Sequence, residues 1–205
     1  MKLYYGPGSC SLAVRIAIHE MGLKCEFESV DFKTKKTQTG ADFLKINPKG
    51  CVPTLAISDK EFLTENAVIQ VYLADKNKAS ELLPPISVKE RYRVLEWLNF
   101  VATDLHKSCS PFFNPQVSEE QKTKVFKPAL VNKLNYVDNA LKSQKFLTGD
   151  HFTLPDGYLF VILTWLPKLK LQLSEWSELN RFYNEVKKRK SVVQALKEEN
   201  LTNEV

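Results

Sequence analysis

What this 205-residue chain lacks narrows its reading first. Its four cysteines (Cys10, Cys25, Cys51 and Cys109) stand at uneven intervals with no Cys-x-x-Cys pair, which argues against a disulfide framework and against a zinc site. Free thiols in a reducing, cytoplasmic compartment are the expectation. The opening MKLYYGPGSC has one lysine and then a turn, with no apolar stretch behind it, so no secretory leader is expected. No run reaches the roughly 18 uninterrupted apolar residues of a membrane span, so no membrane partner is expected. Neither sign of charge prevails: 29 Lys and Arg against 24 Asp and Glu leave a net +5. The densest basic cluster, Lys187-Lys188-Arg189-Lys190, has no aromatic residues between its members. A helix C-terminus, where cations suit the dipole, explains it better than a nucleic-acid surface does.

What is present is ordinary globular material, 43% hydrophobic and 26% charged, enough to bury a core without staples. The texture changes along the chain. Lys2-Leu3-Tyr4-Tyr5 is a short β-prone run stopped by Gly6-Pro7-Gly8. Ser11 to Met21 has helical spacing with Gly22 as its stop, and Cys25 to Phe32 alternates as a strand does. A short helix around Ala41 to Ile46, a hairpin of Pro53 to Ile57 with Glu61 to Thr64, and a helix over Glu65 to Asp75 complete a β-α-β-α-β-β-α order. That order predicts a small mixed sheet with helices packed on it. From Val88 onward only helical periodicities remain, such as Leu95, Leu98, Val101, Ala102 and Leu105. The polar, proline-containing stretch Asn77 to Ser87 reads as the linker, giving an α/β domain over residues 1–80 and an all-helical domain over 87–205. Within the latter, Thr153 and Asp156 form a capping box, with Phe152 as the apolar residue ahead of the cap and Pro155 in the first turn.

The chemistry-bearing candidates follow from position. Cys10 sits where the first strand turns into the first helix, so its thiol faces helix N–H groups and the positive end of the dipole, both of which favour thiolate. A buried inert cysteine is the alternative, and the exposed setting of such a turn favours the reactive thiol. The position three residues on, where a dithiol oxidoreductase has its second cysteine, is Ala13. Any disulfide chemistry at Cys10 therefore requires an outside thiol. Val52-Pro53 opens the third strand and admits either a trans bond or a cis bond; the latter would leave the Val52 main chain able to pair with an extended peptide. Thr64 can cap the third helix, and Glu65 there can meet a ligand ammonium group. Lys35 lies in a basic loop. Asn99, Thr103, His106 and Ser110 fall at i, i+4, i+7 and i+11 of one helix, and the histidine on that polar line could hydrogen-bond a thiolate.

Together the motifs KLYYGPGSCSLA, KTKKT, INPKGCVPTL, LTENAVIQVYLAD, RVLEWLNFVATDLHK and FLTGDHFTLPDGYLF, in this order, resemble the cytosolic glutathione transferases, and most closely the bacterial beta class. The resemblance covers essentially the whole chain. It implies a thioredoxin-like N-terminal domain, an all-α helical-bundle C-terminal domain and a homodimer, with glutathione as co-substrate and no prosthetic group or metal. It places glutathione along Val52 and a cis Pro53, its γ-glutamyl end at Glu65 and Asn66, its glycine carboxylate at Lys35 and its sulfur opposite Cys10. Asn99, Thr103, Asp104 and His106 would close the site, and Ser11 is a rival to Cys10 as the thiolate-stabilising group. The implied activity is conjugation of small, mostly apolar electrophiles. Glutathione-dependent disulfide exchange or peroxidase chemistry through Cys10, and a non-catalytic binding protein, are the alternatives. Cys51 stands where the family often has a polar residue, so a second thiol near Cys10 is expected to resolve a Cys10–glutathione disulfide.

Overall fold

The computed structural model describes residues 1–202. These residues divide into two compact units: Met1–Pro85 together with the described residues from Lys188 onward, and Ile86–Lys187.

The first unit is built on a four-stranded sheet of order β2-β1-β3-β4, with β1 at Lys2–Tyr5, β2 at Glu26–Ser29, β3 at Thr54–Ala56 and β4 at Phe62–Thr64. β1 pairs parallel with β2 and antiparallel with β3, which pairs antiparallel with β4. Helix α1 (Ser11–Glu20) is the crossover that a parallel pair requires. It packs one face of the sheet together with α3 (Asn66–Lys76), and Leu3, Val14, Ile18, Leu55, Ile69 and Leu73 form the shared core. The other face carries Tyr4, Val30 and Phe43, the last from the short helix α2 (Phe43–Ile46). The expected element order is thus observed, with β1 matching at both ends and the other ends displaced by at most three residues.

The second unit is helical throughout its described elements. Helix α4 (Glu90–Phe100) runs through a π-helical segment, Val101–Leu105, into α5 (His106–Phe113). Helix α6 (Glu119–Gln121) leads through a second π segment, Lys122–Phe126, into α7 (Lys127–Leu141). Helices α8 (Leu154–Thr164) and α9 (Ser177–Lys187) follow. Ten successive residues of α8, Leu154 to Leu163, are buried, as a central helix apolar on all sides should be. Its start is the expected cap: the Thr153 N–H and hydroxyl both donate to Asp156 Oδ2, at 2.8 and 2.9 Å, while Asp156 Oδ1 takes the Leu147 N–H at 2.9 Å. The position that would meet Phe152 across the cap is Gly157, which has no side chain, and Phe152 packs edge-on against Phe146 instead, at 5.9 Å between ring centroids.

The final helix, α10 (Lys190–Glu198), departs from the sequence-based division. It belongs with the first unit, packed against α1. Eight consecutive residues of α1, Ser11 to Ile18, are consequently buried. The physical reason is Arg15. Its guanidinium lies between the rings of Tyr5 and Phe27, at 4.2 and 3.8 Å from their centroids. A charge held there at 2% exposure needs a counter-ion. Glu198 and Glu199 supply it, at 2.8 and 3.0 Å. Arg189 adds a two-pronged bond to Glu20, at 2.7 and 2.9 Å. No helix among the described residues is long and apolar enough to cross a membrane.

Burial pushes the Glu199 carboxyl up to about 7 from 4.5, against the stabilising Arg15 charge and Gly8 N–H. A carboxyl raised in the folded state binds a proton that the unfolded chain has already released, so its contribution falls as pH rises from 4.5 to about 7. In denaturant titrations across that window, the stability of the wild type relative to Glu199→Gln should therefore decrease with rising pH. A difference that stays constant would mean that Glu199 ionises as it does in the unfolded chain.

Candidate active site

The turn that ends β1 is closed by its own serines. Ser11, fully buried, donates its hydroxyl to Gly6 O at 3.2 Å and accepts from Gly6 N at 3.1 Å. The Ser9 hydroxyl lies 2.8 Å from that of Ser11. Gly8 takes a positive φ of 66°, and its N–H donates to Glu199 Oε2 at 2.8 Å. Cys10 occupies the N-cap of α1 at 9% exposure, with Sγ directed to Val52 O at 3.5 Å. Two expectations change here. The Ser11 hydroxyl serves the turn, which leaves it poorly placed to stabilise a ligand thiolate. The first N–H groups of α1 are also occupied: Ser11 N by Ser9 Oγ, Leu12 N by Ser9 O and Ala13 N by Cys10 O. What reaches Cys10 from this helix is its dipole rather than a set of free donors.

The loop that follows β2 brings Lys35 to the same region. Asp31 Oδ1 accepts from the N–H groups of Lys33 and Thr34, at 2.8 and 2.7 Å, and Glu28, held down to about 2 by hydroxyl and lysine donors against its burial, accepts from Thr39 Oγ1. Lys35 itself has a φ of 54° and donates Nζ to Gly50 O at 2.9 Å. Cys51 and Val52 come next. Asn47 Nδ2 and Thr54 Oγ1 both hold Cys51 O, at 2.8 and 3.1 Å, which fixes the backbone there. The Cys51 thiol is exposed and donates to Lys49 O at 3.3 Å, whereas that of Cys10 goes to Val52. The Val52–Pro53 bond is cis, so of the two readings the sequence leaves open, the structure has the second.

At the start of α3, Glu65 adopts a φ of 70°. Such backbone costs about 1–3 kcal/mol for a residue with a Cβ and tends to mark functional sites. Thr64 ends β4 and does not cap the helix; Glu65 holds the N-cap position without a side-chain bond. The Glu65 carboxylate is exposed and pairs with Lys49 Nζ at 2.7 Å, which also donates to Thr64 Oγ1 at 3.0 Å. Asn66 is 7% exposed, with both amide atoms engaged: Nδ2 donates to Cys10 O at 2.6 Å, and Oδ1 accepts from Gln70 Nε2 at 2.7 Å. Its side chain faces the protein, leaving the main chain for a ligand.

The helical unit holds the remaining candidates. His106 is half-buried, and its Nδ1 lies 2.7 Å from Tyr158 OH. Its ring also meets that of Trp165 at 5.1 Å. Burial, helped by the Lys107 charge, pushes the imidazole down to about 4, so the ring is neutral near pH 7. A neutral ring carries a single N–H, and the Tyr158 hydroxyl can serve as donor to Nδ1 or as acceptor from it. Asn99 and Thr103 are exposed, and Thr103 Oγ1 donates back to Asn99 O at 3.0 Å. Asp104 pairs with Lys133 of α7 at 3.3 Å. The polar line inferred from α spacing crosses the π segment Val101–Leu105, whose wider turns offset the residues on either side.

The structure thus brings Cys10, Lys35, Cys51, Val52, Pro53, Glu65 and Asn66 to one end of the first unit's sheet. It adds residues that local patterns did not single out: Lys49, Gln70, Arg15 and Glu199. Polar residues inside apolar helical runs, Arg15 in Leu12 to Ile18 and Gln70 in Val68 to Leu73, are the signal that could have found two of them. No group of three or more His, Cys, Asp and Glu side chains among the described residues could hold a metal ion.

Comparison with known proteins identifies the family of the chain. Residues 1–75 match the family model for the glutathione S-transferase N-terminal domain, and residues 100–190 match that for the C-terminal domain. Glutathione S-transferase GstA of Escherichia coli O157:H7 is 41% identical over 201 residues, covering 98% of this chain and all of that one. Two solved structures, a sphingomonad glutathione S-transferase complexed with glutathione and the bacterial beta class enzyme of Sphingomonas chungbukensis, superimpose with TM-scores of 0.93. Both are 38% identical over 98% of this chain and 100% of theirs. On the full-length identity and the match of both domains, the chain belongs to the glutathione S-transferase family.

Proposed function

We propose that the chain transfers the thiolate of glutathione to small, electrophilic, mostly apolar co-substrates, a detoxifying conjugation. The observation that carries this reading is the meeting of Cys10 with the Val52 main chain at the end of the sheet where Lys35 and the start of α3 also converge. A γ-Glu-Cys-Gly tripeptide fits that arrangement by its chemistry. Its extended backbone would pair with Val52 as an added strand, and its glycine carboxylate would meet Lys35. Its α-ammonium would meet Glu65, and its α-carboxylate the N–H of Asn66 at the positive end of α3. Its sulfur then faces Cys10.

In this mechanism the protein lowers the pKa of the bound thiol and holds the sulfur next to an acceptor, converting a bimolecular attack into a local one. The reading includes a cytoplasmic homodimer. Exposed Phe62 and Val68 on the first unit, and a cluster of Trp97, Phe100 and Tyr136 on the second with Tyr136 57% exposed, support an apolar contact between subunits.

The free thiols favour one second reading, thiol–disulfide exchange. The Cys10 thiolate would attack the glutathione-side sulfur of a mixed disulfide, release the partner thiol and retain glutathione as a disulfide. A second glutathione thiolate would then attack the sulfur of the bound glutathione, releasing oxidised glutathione and the Cys10 thiolate; by the other route a Cys51 thiolate would attack the Cys10 sulfur, releasing glutathione and leaving a Cys10–Cys51 disulfide for two further glutathiones to reduce.

A panel of glutathione with an aryl halide, a hydroperoxide and a mixed disulfide, assayed in wild type, Cys10→Ala and Cys51→Ser, separates these readings. Conjugation that proceeds in wild type and is unaffected by Cys51→Ser supports the transferase. Disulfide reduction that outruns conjugation and slows in Cys51→Ser would favour exchange. No turnover together with no retention on immobilised glutathione would leave a non-catalytic protein. For His106, the conjugation rate should pass through pH 6.5, the ordinary imidazole value, without a change that His106→Gln abolishes. Such a change would contradict a ring held neutral down to about pH 4.

A further inference from the structure

Helix α3 turns an apolar face to the sheet, with Ile69 and Leu73 fully buried, and Gln70 interrupts that burial at 0% exposure. A leucine or methionine would fill the same volume without a polar atom. Gln70 Nε2 donates to Asn66 Oδ1 at 2.7 Å, and Asn66 Nδ2 donates to Cys10 O at 2.6 Å. The chain of bonds has one possible direction. A backbone carbonyl at the Cys10 end demands a donor, so Asn66 must present its NH2 there and its oxygen backward. Gln70 must in turn present its own NH2 to that oxygen. The remaining atom, Gln70 Oε1, is left as a buried acceptor with no donor among the described residues. An unpartnered buried acceptor disfavours the fold, so the pair is not explained as a stabilising device.

The relay ends on the residue whose thiol faces Val52. Cys10 O receives both the Ala13 N–H, at 3.1 Å, and the Asn66 amide, so the peptide plane after Cys10 is held from two sides. The relay also passes through Asn66, the residue next to Glu65 at the start of α3. It therefore ties the thiol end of the cluster to its carboxylate end. We propose that Gln70, acting through Asn66, is a positioning residue that fixes the Cys10 turn relative to the N-terminus of α3.

The test labels the folded protein with iodoacetamide and follows each cysteine by peptide mass spectrometry. Exposed Cys51 serves as the internal reference and buried Cys109 as the indicator of general loosening. In Gln70→Met, labelling of Cys10 relative to Cys51 should rise about threefold to tenfold, the range expected for one lost net hydrogen bond, with Cys109 unchanged. Asn66→Ala, which keeps the main-chain N–H, should move Cys10 in the same direction and keeps the test available where Gln70→Met does not fold. Unchanged Cys10 labelling in the variants that fold would overturn the proposal, as would a rise at Cys109 in step with Cys10. A second arm rests on the glutathione reading: KM for glutathione should rise by a similar factor in Gln70→Met while kcat changes less. If the wild type does not bind glutathione, that reading fails and the labelling arm still decides the role of Gln70.

Discussion

The turn between β1 and α1 is the constraint on which the rest of the site depends, because one local side chain and two distant stretches of chain hold the main chain of its few residues. Ser11 closes it locally through Gly6. Asn66 reaches Cys10 O from α3, and Glu199 accepts the Gly8 N–H from the end of the chain. Each bond involves the main chain of the turn, so together they set where the Cys10 side chain starts and leave its sulfur directed at Val52. A thiol at a strand-to-helix turn is a common arrangement. Here its placement is a property of the whole first unit, including a final helix from the opposite end of the sequence.

That final helix shows how a buried charge can organise a fold. Arg15 lies between two aromatic rings, where attraction to the ring faces offsets part of its lost hydration. The remainder comes from Glu198 and Glu199, and their presence brings α10 onto α1. Breaking such a pair by removing one partner strands a charge and is strongly destabilising, whereas keeping the pair intact adds little net stability. Its effect here is on arrangement: it holds Glu199 against the Cys10 turn. Glu199 and His106 are both moved by burial toward their neutral forms, Glu199 upward and His106 downward. Their contributions to stability therefore run in opposite directions with pH.

Much of this was legible in the sequence, and the rest failed for identifiable reasons. The β1 run, the Gly6-Pro7-Gly8 stop, the hairpin and the Thr153–Asp156 cap are local features, set by residues within a few positions of one another. Those local patterns located Cys10, Val52-Pro53 and Glu65. What they could not reveal has partners far along the chain. Ser11 looked like a free hydroxyl until Gly6 was seen to take it, and Asn66 looked like a ligand amide until Cys10 and Gln70 took both its ends. The assignment of α10 to the helical domain followed from its periodicity, which reports that a helix has an apolar face but not which surface covers it. The polar line through His106 rested on 3.6-residue spacing, which a π segment does not obey.

The central claim is that the Cys10 turn holds glutathione as a thiolate. Its most direct test is an ultraviolet titration of the thiolate absorbance of bound glutathione in wild type and in Cys10→Ala. The account predicts that bound glutathione ionises well below the pH at which it does so in water, and that Cys10→Ala moves the transition back toward the aqueous value. A bound thiol that titrates in wild type as it does in free solution would contradict it.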